Sequence, residues 1–116
     1  MDIVGLIAER CSYIHARVGY PNGNSKLLAH LILELGPQVN DPRDPENEVW
    51  NKAHEKCWDL IWKTQREKGA KETYLCPEFG PASYMQVQPY TQEPVSNLWD
   101  VCEWQANRQR ERFAKQ

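Results

Sequence analysis

No stretch of this chain approaches the roughly 20 consecutive apolar residues that a membrane-crossing helix needs. The first ten residues hold an acid at Asp2 and no long apolar run, which argues against an ordinary signal peptide. Basic residues form no extended block: Lys and Arg number 14 against 16 Asp and Glu, for a formal net charge of -2 and a sequence pI near 5.9. Such a balance leaves no electrostatic footprint for nucleic acid. The four cysteines, Cys11, Cys57, Cys76 and Cys102, make no C-x-x-C pair and no zinc spacing, so each reads as a small buried hydrophobe in a reducing compartment. These absences predict a cytoplasmic protein with no nucleic-acid partner and no membrane partner. Phenylalanine is scarce as well, at two against five Trp and five Tyr. Aromatics with a polar tip suit pockets and interfaces, where the ring packs and the tip reaches a partner.

What is present fits one domain over residues 1–116, a length that buries only about two-thirds of the surface its unfolded chain exposes. Hydrophobic residues at 41% and charged residues at 26% indicate a globular chain rather than a disordered one, although a mean hydropathy of -0.76 is polar for a compact domain.

The periodicity alternates between helix and strand. Residues 1–10 read as a short helix, and residues 12–20 as a strand running into a loop, with His15 and Arg17 two apart and so on one face. Residues 21–23 carry turn chemistry. Residues 24–35 hold an apolar run from Leu27 that surrounds a helix rather than striping it, and it must be buried or paired. Three prolines shape residues 36–45 into a structured loop. Residues 46–68 are the clearest helix, with Val49, Trp50, Ala53, Cys57, Trp58, Ile61 and Trp62 recurring at spacings of three and four, acids at its start, cations at its end and Gly69 as a stop. A second strand follows over residues 71–79, then a proline-ordered loop to Pro94. Last comes a helix capped by Ser96 that runs to about Phe113, with Leu98, Val101, Cys102, Gln105 and Phe113 on one face. Arg108, Arg110 and Arg112 lie on its solvated end, where cations complement the helix dipole. This order predicts an α/β chain with two parallel strands and flanking helices, a partial (βα) unit with open sheet edges.

Candidate chemistry gathers at the strand ends and in the loops that follow them: His15, Arg17, Asp41, Arg43 and Glu78, with Tyr20 and Tyr90 as rings for a sugar. Imidazole and carboxylate suit Mn, Mg, Co or Zn, an ion that polarises a carbonyl, and an arginine can hold a developing oxyanion. Each residue also has a plainer role. A lone His on a strand is a packed or hydrogen-bonded residue, Asp41 and Arg43 can brace the proline loop, and His30 and His54 sit within helical patterns as structural residues.

Three segments carry a resemblance: residues 15–20 (HARVGY), residues 36–43 (GPQVNDPR), and residues 77–81 (PEFGP) with 89–91 (PYT) and 94–99 (PVSNLW). Together they resemble the last part of sugar phosphate isomerase/epimerase proteins of the xylose isomerase-like TIM-barrel family, over most of the chain from Cys11 to Phe113. The resemblance implies the C-terminal quarter of such a barrel and proton transfer next to a sugar carbonyl. It implies His15 and Glu78 as ligands of a divalent metal, with Glu78 and Arg17 as catalytic residues. Tyr20, Asp41, Arg43 and Tyr90 would line a site for a sugar or sugar phosphate. It also implies a Glu and an Asp ligand from earlier strands that this chain does not contain, and it marks residues 24–35 as an apolar insertion. The alternative is a non-catalytic fragment that forms homo-oligomers through its sheet edges; a metal-dependent nuclease on the same barrel is disfavoured by the absence of basic surface.

Overall fold

The computed structural model describes residues 3–20, 37–81 and 84–116. The expected turn at residues 21–23, the apolar run of residues 24–35 and His30 lie outside the described residues. Helix α1 (Ile3–Ala8) leads to strand β1 (Ile14–Ala16), a single 3-10 turn (Pro45–Asn47), helix α2 (Glu48–Glu67), strand β2 (Leu75–Pro77) and helix α3 (Leu98–Ala114). The chain is mixed α/β, with two parallel strands and three helices among the described residues.

The strands pair in parallel with Ile14 opposite Leu75, His15 opposite Cys76 and Ala16 opposite Pro77. Ile14 N–H donates to the Tyr74 carbonyl at 3.0 Å, and Glu78 N–H donates to the Ala16 carbonyl at 3.1 Å. Residues 74, 76 and 78 therefore face β1, while Pro77, which has no N–H, falls on the outward set and removes nothing from the ladder. Both strands are shorter than the sequence pattern suggests. After Ala16 the Arg17 N–H turns back to the His15 carbonyl at 3.1 Å, and the next residues leave for a different partner. Gly19 pairs antiparallel with Gln38, flanked by bonds from Val39 N–H to the Val18 carbonyl and from Tyr20 N–H to the Pro37 carbonyl, each 3.0 Å.

One face of this small sheet carries the core. Ile14, Ala16 and Val18 are buried with Trp58, Ile61 and Trp62 of α2 and Val101 of α3, while His15 between them is exposed. Gln65, near the end of α2, ties the starts of both strands: its amide donates to the Cys11 and Ser12 carbonyls at 3.3 and 3.0 Å, and its oxygen accepts from the Thr73 hydroxyl. Gly69 closes the helix at φ +86°, a left-handed conformation that glycine adopts without strain.

The buried face of α2 differs from the apolar stripe in the sequence. Its positions are Asn51, His54, Glu55, Trp58, Ile61 and Trp62, spaced as one helical face but polar over the first half, whereas Val49 is exposed. Each polar residue is there because another segment needs it. Asn51 Nδ2 donates to the Pro42 carbonyl at 2.7 Å. His54 Nδ1 donates to the Trp50 carbonyl at 2.9 Å, which leaves Nε2 to accept from Gly19 N–H at 3.4 Å, so this histidine is structural. The cysteine expectation also needs correction: Cys76 is exposed, and Cys11, Cys57 and Cys102 are only partly buried.

Helix α3 starts at Asn97, not Ser96. Asn97 Oδ1 accepts from Asp100 N–H at 3.1 Å, while the Ser96 hydroxyl donates to the Asn40 carbonyl at 2.8 Å. Its arginines are not all solvated. Arg108 bonds both carboxylate oxygens of buried Glu55, at 2.8 Å each, and reaches Glu48 at 2.6 Å. Arg112 takes Asp59 with bonds of 2.7 and 2.8 Å, and Gln109 Nε2 donates to Glu55 at 2.6 Å. Arg110 alone of the three is exposed, with a bond to Asn107. Burial pushes the Glu55 carboxyl upward more than any other single influence, but the bonds from Arg108 and Gln109 and the charges of Arg108 and Arg112 together outweigh it, and the group is held below its ordinary range. Glu48 is lowered as well, by its bond from Arg108 first.

Arg108→Ala should lower unfolding stability by about 3 kcal/mol, because it strands the buried Glu55 carboxylate, while Arg110→Ala should stay within about 0.5 kcal/mol; urea titration of both variants checks this. The depressed carboxyls add a pH signature. Their stabilisation is complete above the unfolded carboxylate value of about 4 and is lost as pH falls through the lower folded values. Wild-type stability should drop steeply below that point, and Arg108→Ala should flatten the drop.

Candidate functional site

The exposed face of the sheet is built from the residues that alternate with the core. Tyr13, His15, Tyr74, Cys76 and Glu78 are all exposed, and His15 stands opposite Cys76 in register. Parallel sheets are ordinarily covered on both faces, so an open one with polar, nucleophilic and aromatic groups is a place for chemistry or contact. At its C-terminal end, His15 Nδ1 donates to Glu78 Oε2 at 2.7 Å, with side chains 54% and 51% exposed. The Tyr13 ring stands 5.2 Å from the His15 ring at a tilt of 46°. Of the expected site residues, these two are brought together: 63 positions apart in sequence, they meet because one lies in β1 and the other follows β2.

The position of Glu78 depends on the two residues after it. Phe79 is buried, and Gly80 N–H donates to Gln38 Oε1 at 2.7 Å while Gln38 Nε2 donates to the Gly80 carbonyl at 3.3 Å. Gln38 is itself buried and bridged to Gly19, so one amide clamps the segment after β1 to the segment after β2. A side chain at Gly80 would place its Cβ 2.7 Å from Tyr84 Cδ2 and 2.9 Å from Tyr84 Cβ, which explains the glycine. Gln38 was not among the candidates, although a polar residue flanked by Pro37 and Val39 in the loop after the first strand was a readable signal.

The other candidates take different places. Arg17 is half-buried just past β1. Asp41 and Arg43 bind each other: Arg43 Nε and its guanidinium terminus reach Asp41 at 2.9 and 2.6 Å, and Arg43 N–H donates to Asp41 Oδ1 at 2.9 Å. The bond from Arg43 is the main reason the Asp41 carboxyl lies below its ordinary range. The Asp41 carbonyl accepts from Asn47 Nδ2 at 2.8 Å, which fastens the pair to the 3-10 turn. Tyr20 is partly buried and packs against the core. Tyr90 is fully exposed at the tip of a small hairpin closed by the Val87–Pro94 bridge, with φ +67°, and Gln92 follows at φ +61°. Among the described residues no three His, Cys, Asp or Glu side chains converge as a metal-binding group; the His15–Glu78 pair offers two donors at the sheet mouth.

Searches of family models, of curated proteins and of solved structures find no match to this chain.

An ion pair this exposed contributes little to folding. His15→Gln and Glu78→Gln should each keep unfolding stability within about 1 kcal/mol of wild type, whereas Gln38→Ala, which removes a buried side chain and leaves the part-buried Gly80 amide without its acceptor, should lower it by about 2 kcal/mol; denaturant midpoints of the three variants separate the pair at the mouth from its clamp.

Proposed function

We propose that this chain is a portion of a metal-dependent sugar or sugar phosphate isomerase/epimerase built on a xylose isomerase-like barrel, with residues 24–35 as an insertion. The observation that carries the reading is the meeting of His15 Nδ1 and Glu78 Oε2 at the C-terminal mouth of two parallel strands, on the face away from the helices. Active sites of (βα) barrels sit at that end of the strands. His15 and Glu78 are the groups that would hold a divalent ion such as Mn, Mg, Co or Zn, which supplies Lewis-acid polarisation of a sugar carbonyl when bound. Arg17 would hold the oxyanion that develops as a proton moves between neighbouring carbons, with Glu78 the carboxylate closest to that chemistry. Tyr20, Asp41, Arg43 and Tyr90 belong to this reading through the sequence resemblance; the bonds of Asp41 and Arg43 and the packing of Tyr20 support a bracing role for those three. Two ligands bind an ion weakly, and the chain alone should show little or no turnover.

Calorimetric titration of Mn into the wild-type chain and into a His15→Ala, Glu78→Ala variant tests the assignment. Binding in the first that vanishes in the second supports it, and absence of binding in both removes it.

The open sheet face favours a second reading, a non-catalytic fragment that self-associates. Tyr13 at 58% and Tyr74 at 66% exposure flank His15 and Cys76 on a face that parallel sheets ordinarily cover. Sedimentation over a range of concentrations should show mass rising with concentration if this holds; a monomer throughout would rule it out.

A further inference from the structure

His15 and Glu78 offer two donor side chains at the sheet mouth, where a closed zinc site takes four ligands. No group of three His, Cys, Asp or Glu side chains completes the set among the described residues. The two donors are nevertheless available. A single contact joins His15 Nδ1 to Glu78 Oε2 at 2.7 Å, and among the described residues His15 Nε2 and Glu78 Oε1 have no hydrogen-bond partner. Both side chains are about half exposed on the outward face of the sheet. Their backbones are held by the strand register and by the Gln38 clamp on Gly80, so the donors project from a fixed place.

The face that carries them is open. Ile14 and Ala16 turn to the other side, against Trp58 and Val101, while Tyr13, Tyr74 and Cys76 beside the pair are exposed. A parallel sheet ordinarily has both faces covered, and tyrosine is a residue type enriched where protein surfaces meet. A second copy of this chain is the occupant that supplies what both the face and the site lack. A two-fold axis at the mouth sets the same patch against itself. It adds a second imidazole and a second carboxylate to the first pair, which makes four ligands. Charge selects for the ion as well. Two Glu78 carboxylates opposed across the axis repel each other, whereas two carboxylates and two neutral imidazoles balance one divalent cation.

We propose that the open sheet face forms a metal-bridged dimer, in which one zinc ion is held by His15 and Glu78 of each of two copies. This rests on the reading of these two residues as metal donors, and it requires neither a barrel nor isomerase chemistry. The ion is then part of the interface, and the face closes only when it binds.

Sedimentation velocity of the full chain, first in chelator and then with zinc chloride, is paired with calorimetric titration of zinc to test the bridge. The expected result is a monomer in chelator, a doubling of mass with zinc, and one ion bound for every two chains. His15→Gln and Glu78→Gln each remove two of the four ligands from the dimer and should lose the doubling while staying folded. Cys76→Ser should keep it; loss of the doubling in that variant would assign the bridge to the thiol and overturn the proposal. One ion per chain with no gain in mass overturns the bridge but leaves His15 and Glu78 as donors. A dimer equally strong in chelator and in zinc overturns it in favour of metal-independent association. Absence of zinc binding removes the donor assignment itself, and the bridge with it.

Discussion

Burial of the Glu55 carboxylate on the inner face of α2 obliges the rest of the structure to answer it. A carboxylate with a side chain 5% exposed is tolerable only if its oxygens are taken up, and α3 supplies the answer with Arg108 in a fork, Gln109 beside it and Arg112 within 3.5 Å. That requirement sets the rotation and register of α3 on α2 more narrowly than apolar packing does, because a planar guanidinium must meet two oxygens at once. With α3 so placed, Val101 reaches the core beside Ile14 and Ala16, and Phe113 meets the Trp62 ring edge-on at 5.2 Å. Arg112 also lies over the Trp62 ring at 5.7 Å while holding Asp59.

Both helices then commit one face of the sheet to the core, and strand alternation commits the other to solvent. Ile14 and Ala16 cannot be buried without presenting His15 outward, and the parallel register places Cys76 and then Glu78 on that same outward side. The contact between His15 and Glu78 is thus a consequence of strand geometry together with the Gln38 clamp on Gly80. It owes little to attraction between the two groups, which are half in water.

The large pattern of this arrangement was legible in the sequence. The three- and four-residue spacing of Trp58, Ile61 and Trp62 gave helix α2, the residue types around Leu75 gave β2, and the alternation of elements implied parallel strands with helices on one side. The positions of His15 within the first strand and of Glu78 at the tip of the second were legible too. What stayed hidden has one physical character: polar residues whose partners are distant in sequence. Asn51, His54 and Glu55 read as breaks in an apolar stripe because the Pro42 carbonyl, the Gly19 amide and the Arg108 guanidinium that satisfy them cannot be found from spacing. Arg108 and Arg112 looked solvated for the same reason. The strand ends were overestimated because residues 17–20 keep an extended composition while bonding a different segment, residues 37–39. Cysteine position was misjudged because Cys76 occupies an outward place in a strand whose other face is covered.

The difference between the two carboxylate–cation pairs near the loops bears on which can do chemistry. Asp41 receives two side-chain contacts and a backbone N–H from Arg43, and its own carbonyl anchors Asn47 at the start of α2. Drawing either member away to a ligand would undo a bidentate pair and a turn together, so a ligand must first repay those bonds. His15 and Glu78 share a single contact, and each is about half exposed. Releasing that contact leaves both groups hydrated and the fold unstrained, because Gln38 and the strand ladder hold their backbones in place. Donor groups that are fixed in position yet cheaply separated from one another are the ones an incoming ion or substrate can claim. By that criterion the pair at the mouth of the sheet is more easily released to a ligand than the pair in the proline loop.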